Sequence, residues 1–170
     1  MELIDVVTKK DSMETQTKNP KRKSVKAIPD GFHSVTPLLM VSEADKLIKF
    51  IEDAFEGKQT SMFRTKDNQV MHATVRIGDS EVMISDAMER TPSGTSRLYL
   101  YVEDVDKVYN QALNAKGTSL RSPTDEFYGD RSAGIRDTWG NEWWIATHQE
   151  DVSNEEMEKR KKKFEKSATT

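Results

Sequence analysis

The chain repeats itself with an offset of 61 residues. Residues 41–47 align with residues 102–108, and an Asp-Lys pair falls at the same place in both copies. Residues 81–84 align with residues 142–145 at the same offset, beginning with a glutamate in each copy. One offset that holds at both ends of a long unit is the signature of a duplicated supersecondary structure. The chain is therefore expected to fold as two copies of one module.

Each copy carries the same predicted order of elements, namely one strand, one helix and three further strands. In the first copy, apolar residues follow helical spacing after Ser42, a candidate N-cap, and stop at Gly57. In the second copy, Asp104 is the candidate N-cap and Gly117 the stop. The strand-like runs are 34–41, 59–64, 70–77 and 81–85 in the first copy, and 97–102, 119–121, 133–137 and 142–147 in the second. The sequence predicts an α+β fold of two βαβββ modules.

Gly140-Asn141 lies between the last two strand-like runs. Both residue types tolerate positive φ, which a two-residue hairpin turn requires. We therefore expect a tight hairpin at this point.

Charge is unevenly distributed along the chain. Charged residues make up 32% of the sequence, and most of the excess lies in the first 30 and last 20 residues. We expect a mobile N-terminal extension over residues 1–27 and a single domain over residues 28–148, with modules at about 32–87 and 96–148. A charged helix and tail follow over residues 149–170, and Ser153-Asn-Glu-Glu156 is a capping box that starts this helix.

Composition limits the classes of function. There is no cysteine, so disulfides and thiolate metal sites are excluded. The net charge of −3 gives no field that would favour nucleic acid. No apolar run approaches the roughly 20 residues of a membrane helix, and the N-terminus has no secretory pattern. We expect a cytoplasmic protein with no nucleic-acid or membrane partner.

Strand alternation sorts the side chains into two faces. One face is consistently apolar and is expected to lie under the helices: Leu39, Val41, Ala73, Val75, Ile77, Val82, Ile84, Leu98, Leu100, Val102, Trp143 and Ile145. The other face mixes aromatic, sulfur, hydroxyl and charged side chains: Thr36, Leu38, Met40, His72, Thr74, Arg76, Met83, Ser85, Arg97, Tyr99, Tyr101, Glu142 and Trp144. A mixed face of this kind is typical of a ligand cavity, and it is also compatible with an ordinary half-exposed sheet face.

Several segments carry a family resemblance: Pro29-Asp-Gly-Phe-His33, Met71-His-Ala73, Tyr101-Val-Glu-Asp-Val-Asp106, Phe127-Tyr-Gly-Asp-Arg131, Asp137-Thr-Trp-Gly-Asn141 and Ala146-Thr-His148. Together with the paired modules, they resemble the vicinal oxygen chelate superfamily, which includes glyoxalase I, bleomycin-resistance proteins and extradiol dioxygenases. Within it, they resemble a glyoxalase-like branch named for phosphonate metabolism. The resemblance implies a curved mixed sheet with helices on its outer face, and a homodimer. It carries less information about activity, because one fold hosts many chemistries.

The resemblance also implies where a divalent metal would bind, at the first and last strand of each module. Those positions are Thr36, Met83, Arg97 and Trp144, and a register slipped by two gives Ser34, Ser85, Tyr99 and Glu142. Only Glu142 is a good ligand for Zn²⁺, Mn²⁺ or Fe²⁺. We therefore predict no metal and no other cofactor. A site built from His72 and Glu142 with a further ligand remains the alternative.

The candidate ligand-binding residues are Thr36, His72, Arg76, Met83, Arg97, Tyr99, Tyr128, Glu142 and Trp144. Arg97 or Arg76 could hold an anion, and Trp144 and Tyr99 could stack on a planar group. His72 is a candidate general base, although a lone histidine on a strand is more often a structural hydrogen-bonding group. Asp130 and Arg131 are expected to pair with each other and fix their loop.

Three functions stay open. The interpretation we favour is a dimer that binds or sequesters a small aromatic or anionic molecule in a metal-free cavity, as bleomycin-resistance proteins do. The second is a metal-dependent lyase, isomerase or dioxygenase of the same superfamily. The third is a non-catalytic interaction protein whose polar face is a subunit interface.

Overall fold

The computed structural model describes residues 26–168. The extension predicted for residues 1–27 lies, apart from its last two residues, outside the described residues. The elements are β1 (Leu38–Val41), α1 (Ala44–Phe55), β2 (Lys58–Arg64), β3 (Val70–Ile77), β4 (Ser80–Asp86), β5 (Arg97–Tyr101), α2 (Val105–Asn114), β6 (Thr118–Asp125), β7 (Asp130–Arg136), β8 (Glu142–His148) and α3 (Asn154–Ala168). No helix among the described residues is long and apolar enough to cross a membrane.

The strands form two four-stranded mixed sheets, one for each module. Sheet 1 has the order β1-β4-β3-β2 and sheet 2 the order β5-β8-β7-β6. The first strand of each module pairs in parallel with the last, and the other pairs are antiparallel. The duplication extends to the register, because Leu38 pairs with Met83 and, 61 residues later, Tyr99 pairs with Trp144. The predicted α+β fold of two βαβββ modules is confirmed.

One hydrophobic core runs through both modules. Helix α1 covers sheet 1, α2 covers sheet 2, and the two helices pack against each other. Lys107 Nζ donates to Glu56 Oε1 at 2.8 Å between them, and the Phe55 and Trp143 rings lie 4.7 Å apart beneath them. Nine of the twelve side chains predicted to form the apolar face lie in this core.

The core is incomplete at the edge strand β5. Leu98 and Leu100 in β5, and Val102 directly after it, are only half-buried, because this edge borders an open cleft. On sheet 1, Thr74 and Ser85 were predicted to be on the accessible face but are buried, and Ser61 Oγ donates to Thr74 Oγ1 at 3.0 Å.

The N-termini of the two module helices are held from a distance. The amide of Ala44 donates to Asp86 Oδ1 at 2.8 Å, and the amide of Val105 donates to Thr147 Oγ1 at 2.9 Å, again at an offset of 61. Asp104 caps α2 as predicted, accepting from the Lys107 amide. The prediction that Ser42 caps α1 is wrong, because the cap position is Glu43, in the left-handed region at φ 58°. The last strand of each module therefore fixes where its helix begins.

The first strand starts later than predicted, at Leu38 rather than residue 34. Thr36 Oγ1 donates to the His33 carbonyl at 3.1 Å and so stabilises a local turn. Pro37 has no backbone N–H to give to a ladder. Conversely, β6 extends to Asp125 through Pro123, which is tolerated because β6 is an edge strand.

The connection between β7 and β8 is a five-residue loop over residues 137–141, so the two-residue turn predicted at Gly140-Asn141 is wrong. The buried Asp137 carboxylate accepts from the amides of Trp139 and Asn141, and from the side chains of Asn141 and Trp143. Within residues 137–141, only Gly140 has positive φ, at 88°. A carboxylate at the centre of the loop holds it wider than a tight hairpin.

Helix α3 begins where the capping box predicted, since Ser153 Oγ accepts from the Glu156 amide at 3.3 Å. Lys159 pairs with Glu155 and Arg160 with Glu156, each one helical turn apart.

Candidate functional site

Sheet 2 has a mixed polar and aromatic surface on the side away from α2. Trp143 and Ile145 point into the core, so Glu142 and Trp144 point the other way. We call this surface the open face of sheet 2; it is formed by Arg97, Tyr99, Tyr101, Arg121, Asp130, Ser132, Arg136, Glu142, Trp144 and His148. Five of the nine predicted site residues belong to it or to the loop beside it.

One row of the open face is an ion triplet. Arg97 Nε lies 2.7 Å from Glu142 Oε2, and Arg136 Nη2 lies 2.9 Å from Glu142 Oε1. The Arg136 hydrogen bond lowers the pKa of Glu142, and Arg97 lowers it further. Glu142 is therefore ionised at neutral pH, and one carboxylate stands against two guanidinium groups. The row carries a net positive charge next to solvent, since the Arg97 side chain is 78% exposed.

The next row is aromatic. The Arg121 guanidinium lies over the Trp144 ring at 5.0 Å from its centroid. Arg121 Nη2 also forms an ion pair with Glu126 Oε1 at 2.5 Å, which holds the guanidinium in this position. Gly134 lets the indole approach β7, because a Cβ built on this glycine would lie 3.2 Å from the ring. Arg121 Nε is buried without a hydrogen-bond partner among the described residues.

At the far end of the face, a buried carboxylate joins a phenol and an imidazole. Asp130 is 4% exposed, accepts from the Tyr101 hydroxyl at 3.0 Å, and lies 2.7 Å from His148 Nδ1. The hydrogen bond to Asp130 raises the pKa of His148, and a second contact with Asp151 at 3.1 Å adds to the effect. Hydrogen bonding to Asp130 also raises the pKa of Tyr101.

The predicted pairing of Asp130 with Arg131 is wrong. Arg131 pairs with Asp106 at 2.7 Å and with Asp125 at 2.9 Å. Neighbouring residues on a strand point to opposite faces, so Arg131 reaches the helix side while Asp130 reaches the open face.

Tyr99 and Tyr128 meet beside this carboxylate. Partial burial of the Tyr99 hydroxyl raises its pKa, and a hydrogen bond with Tyr128 raises it further. The Tyr99 ring is 50% exposed and lies 5.3 Å from the Tyr101 ring. Tyr99 and Tyr101 together form an accessible aromatic surface.

The other four predicted site residues belong to module 1. Thr36 lies ahead of β1 and Met83 is half-buried in β4. His72 Nε2 lies 3.3 Å from Thr74 Oγ1 on the same strand. Arg76 donates twice to Glu81, at 2.8 and 2.6 Å, and that carboxylate is 3% exposed. These contacts give His72 and Arg76 local structural partners.

An open cleft of about 1350 Å³ lies between the two modules. The residues that line it include Arg76 from module 1 and, from module 2, Leu98, Tyr99, Leu100, Tyr101 and His148. The cleft therefore brings together two predicted residues from different modules, Arg76 and Tyr99.

The sequence analysis did not select Arg121, Asp130, Arg136 or His148. The strand signal could have found His148, which continues the alternation of Glu142, Trp144 and Ala146 one step beyond the predicted end of β8. Arg136 follows from pairing β7 with β8, which places it opposite Glu142. Arg121 depends on the bulged β6–β7 pairing, which the sequence does not reveal, and Asp130 depends on the β7–β8 pairing that places it opposite His148.

Comparison with known proteins agrees with this architecture. The model of the Glyoxalase/Bleomycin resistance protein/Dioxygenase superfamily matches residues 31–145. An uncharacterized protein of Mycobacterium bovis is 27% identical over 136 residues, covering 74% of this chain and 90% of that protein.

Two solved structures share the fold. TioX from Micromonospora sp. ML1 superposes with a TM-score of 0.57 at 17% identity, over 67% of this chain and 98% of TioX. The PhnB protein of Bacillus cereus gives 0.56 at 22% identity, over 68% of this chain and 99% of that chain. Identities this low support the fold alone.

Proposed function

The chain belongs to the Glyoxalase/Bleomycin resistance protein/Dioxygenase superfamily, and from this premise we propose that it binds a small anionic aromatic molecule on the open face of sheet 2. The observation that carries the proposal is the adjacency of two rows: the triplet of Arg97, Glu142 and Arg136 lies beside the aromatic row of Tyr99 and Trp144. A positive row next to a flat aromatic row matches a ligand that has a planar ring and an acidic group.

Electrostatics support the anionic part of this proposal. Glu142 neutralises one of its two arginines, so the second positive charge is left for a ligand. Each guanidinium carries five N–H donors in a planar fork, and its ion pair with Glu142 uses only part of them. A carboxylate, sulfonate or phosphonate would accept such donors in a bidentate arrangement.

The aromatic row supports the planar part. Arg121 covers one region of the Trp144 ring, and Tyr99 extends the surface with a half-exposed ring. Offset stacking between aromatic rings contributes about 0.5–1.5 kcal/mol beyond the area they bury. Tyr128 would border the ligand at the Tyr99 end.

The metal implied by the superfamily does not fit these residues. Glu142, the good ligand among the candidate positions, already accepts from two arginines, and a cation there would face both guanidinium groups. Among residues 26–168, no three histidine or acidic side chains lie close enough to hold a metal ion. We therefore propose that the ligand binds without a metal, and a metal-dependent enzyme would need metal ligands from outside this set.

We further propose that the protein acts as a cytoplasmic homodimer. In each sheet, the first strand has one free edge, and the two sheets do not pair with each other within residues 26–168. A second copy could cover the free edges and close the open faces into a cavity. Analytical ultracentrifugation between micromolar and submicromolar concentrations tests this; a monomer at every concentration would contradict it.

A second candidate function is acid–base catalysis on the bound molecule. The buried Asp130 orients His148 through Nδ1, the arrangement by which a carboxylate directs a catalytic imidazole. Mass spectrometry of any ligand after incubation with the protein would detect a new product. Loss of that product with His148→Gln would favour an enzyme, whereas an unchanged ligand favours a binding protein.

The binding proposal is tested with a panel of anionic aromatic compounds, using thermal shift and tryptophan fluorescence. We expect hits whose affinity falls with Arg97→Ala and with Trp144→Ala. Arg64→Ala, which breaks an ion pair with Asp45 in module 1, and Trp139→Phe are the matched controls. Equal losses in the controls, or hits that are insensitive to Arg97 and Trp144, would contradict the proposal.

A further inference from the structure

The loop over residues 126–130 closes one end of the open face of sheet 2. Asp130 accepts a hydrogen bond from the Tyr101 hydroxyl and lies against His148, and the Tyr128 side chain lies near that of Tyr99. Glu126, at the start of the loop, accepts from Ser132 Oγ at 2.8 Å. The position of this loop therefore fixes three aromatic or titratable groups of the face at once.

The backbone of the loop sits directly on the segment that leads into α3. The Gly129 carbonyl accepts from the amides of Gln149 and Glu150, at 2.9 and 3.1 Å. A Cβ built on Gly129 would lie 2.1 Å from the Glu150 carbonyl oxygen, and its φ is +101°. Glycine is needed here for both reasons, and the loop backbone is in direct contact with the segment over residues 149–150.

Helix α3 in turn holds that segment and the loop from outside. Arg160 donates through Nη1 and Nη2 to the two carboxylate oxygens of Glu150, at 2.8 and 2.9 Å. The Phe164 ring lies 5.5 Å from the Phe127 ring, which contacts Tyr128 at 5.4 Å. Two side chains of α3 thus reach the loop by separate routes, one through Glu150 and one through Phe127.

We infer that Arg160 and Phe164 are positioning residues of the binding face: through Glu150 and Phe127 they hold the loop over residues 126–130 in place. They thereby set where Tyr128 and Asp130 stand relative to Tyr99, Tyr101 and His148. This gives the charged C-terminal helix a role in ligand selection without contact with the ligand. The inference rests on the proposed function only in treating the open face of sheet 2 as a binding face. The positioning of the loop by Arg160 and Phe164 does not depend on any ligand.

Fluorine NMR of the full chain labelled with 3-fluorotyrosine tests it. The chain has four tyrosines, and three of them belong to the binding face and its loop. The fourth, Tyr109 of α2, donates a hydrogen bond to Ser119 Oγ and reports on the fold. We expect Phe164→Ala to shift the resonances of Tyr128 and Tyr99 and to leave that of Tyr109 in place. Phe164→Leu keeps an apolar contact with Phe127, so the resonances of Tyr128 and Tyr99 should lie close to their wild-type positions in this variant.

Arg160→Gln is the second variant, because it acts by the Glu150 route and leaves Phe164 intact. We expect it to shift the Tyr101 and Tyr128 resonances. Lys162→Ala, which changes an exposed residue of the same helix, is the matched control and should shift none. If Phe164→Ala and Arg160→Gln both leave Tyr99, Tyr101 and Tyr128 unchanged, the inference is wrong.

Binding of 8-anilinonaphthalene-1-sulfonate, an aromatic anion, separates this inference from the proposed function. A several-fold loss of probe affinity in Phe164→Ala, alongside the loss expected for Trp144→Ala, supports both. Tyrosine resonances that move while Arg97→Ala and Trp144→Ala bind like the wild type would leave the positioning role standing and overturn the proposed binding face.

Discussion

Arg97 and Glu142 stand opposite each other on β5 and β8, and their side chains form an ion pair of 2.7 Å. Glu142 also accepts from Arg136, so removal of its charge leaves two uncompensated guanidiniums. We expect Glu142→Gln to tighten binding of an anionic aromatic probe several-fold and to steepen its dependence on salt. Isothermal titration at two ionic strengths measures both quantities.

Glu155→Gln serves as the control for this change, because it removes a carboxylate paired with Lys159 on α3. It should leave the affinity and its salt dependence as they are. Weaker anion binding in Glu142→Gln would mean that Glu142 holds Arg97 and Arg136 in the binding geometry, contrary to a purely electrostatic role.

Divalent metals should not stabilise the protein. Protein purified without a chelator or a histidine tag is expected to contain far less than one metal per chain, and its melting temperature should not rise with Mn²⁺, Zn²⁺, Ni²⁺ or Fe²⁺. The physical reason is that the carboxylate of Glu142 is already occupied by arginines. A stoichiometric metal, or a rise in melting temperature that His72→Ala abolishes, would show that His72 belongs to a metal site.

His148 should make stability depend on pH near neutrality. Its pKa is raised in the folded state by Asp130 and Asp151, whereas the unfolded value is about 6.5. The stabilisation is fully present below the unfolded pKa and is lost as the pH rises through the folded pKa. Urea unfolding at pH 6 and pH 8 should therefore show a loss at the higher pH that is reduced in Asp130→Asn.

NMR titration of the imidazole gives the direct check on this prediction. His33→Gln, a change at an exposed residue, is the control and should keep the wild-type difference between the two pH values. A His148 pKa at or below about 6.5 would contradict the prediction.

Asp137 should be among the most sensitive positions of the fold. Its carboxylate accepts four hydrogen bonds of 2.8 to 3.0 Å, including one from the buried indole of Trp143. Each buried donor left without a partner costs about 1–3 kcal/mol. We expect Asp137→Ala to lower the free energy of unfolding by about 3–5 kcal/mol in urea titrations.

Asp67→Asn, at an exposed position in the turn between β2 and β3, is the control and should change stability by less than about 0.5 kcal/mol. An Asp137→Ala protein as stable as this control would mean that water replaces the lost acceptor.

Local patterns predicted the framework well. The repeat defined both modules, and alternation placed Trp143 in the core and Trp144 on the opposite face. Asp104 and Ser153 were correct as caps because each acts on an amide within three residues along the chain. Interactions of this range are visible in a sequence.

Contacts between distant segments were not predictable in the same way. The first amide of α1, that of Ala44, donates to Asp86, which lies 42 residues further along the chain. The local candidate Ser42 does not cap this helix. Asp130 finds Tyr101 and His148, 29 and 18 residues distant, instead of its neighbour Arg131. Sequence alone supplies the residue types for these contacts, but the fold decides which of them meet.

The shared register of the two modules also bears on how such a protein can change over generations. Leu38 and Met83 occupy in module 1 the paired positions that Tyr99 and Trp144 occupy in module 2. Both pairs lie on the side of their sheet away from the covering helix, so exchanging them leaves the packing beneath that helix in place. The exposed pair of one module can therefore change in sequence while the corresponding pair of the other module, and the core beneath both helices, stay the same.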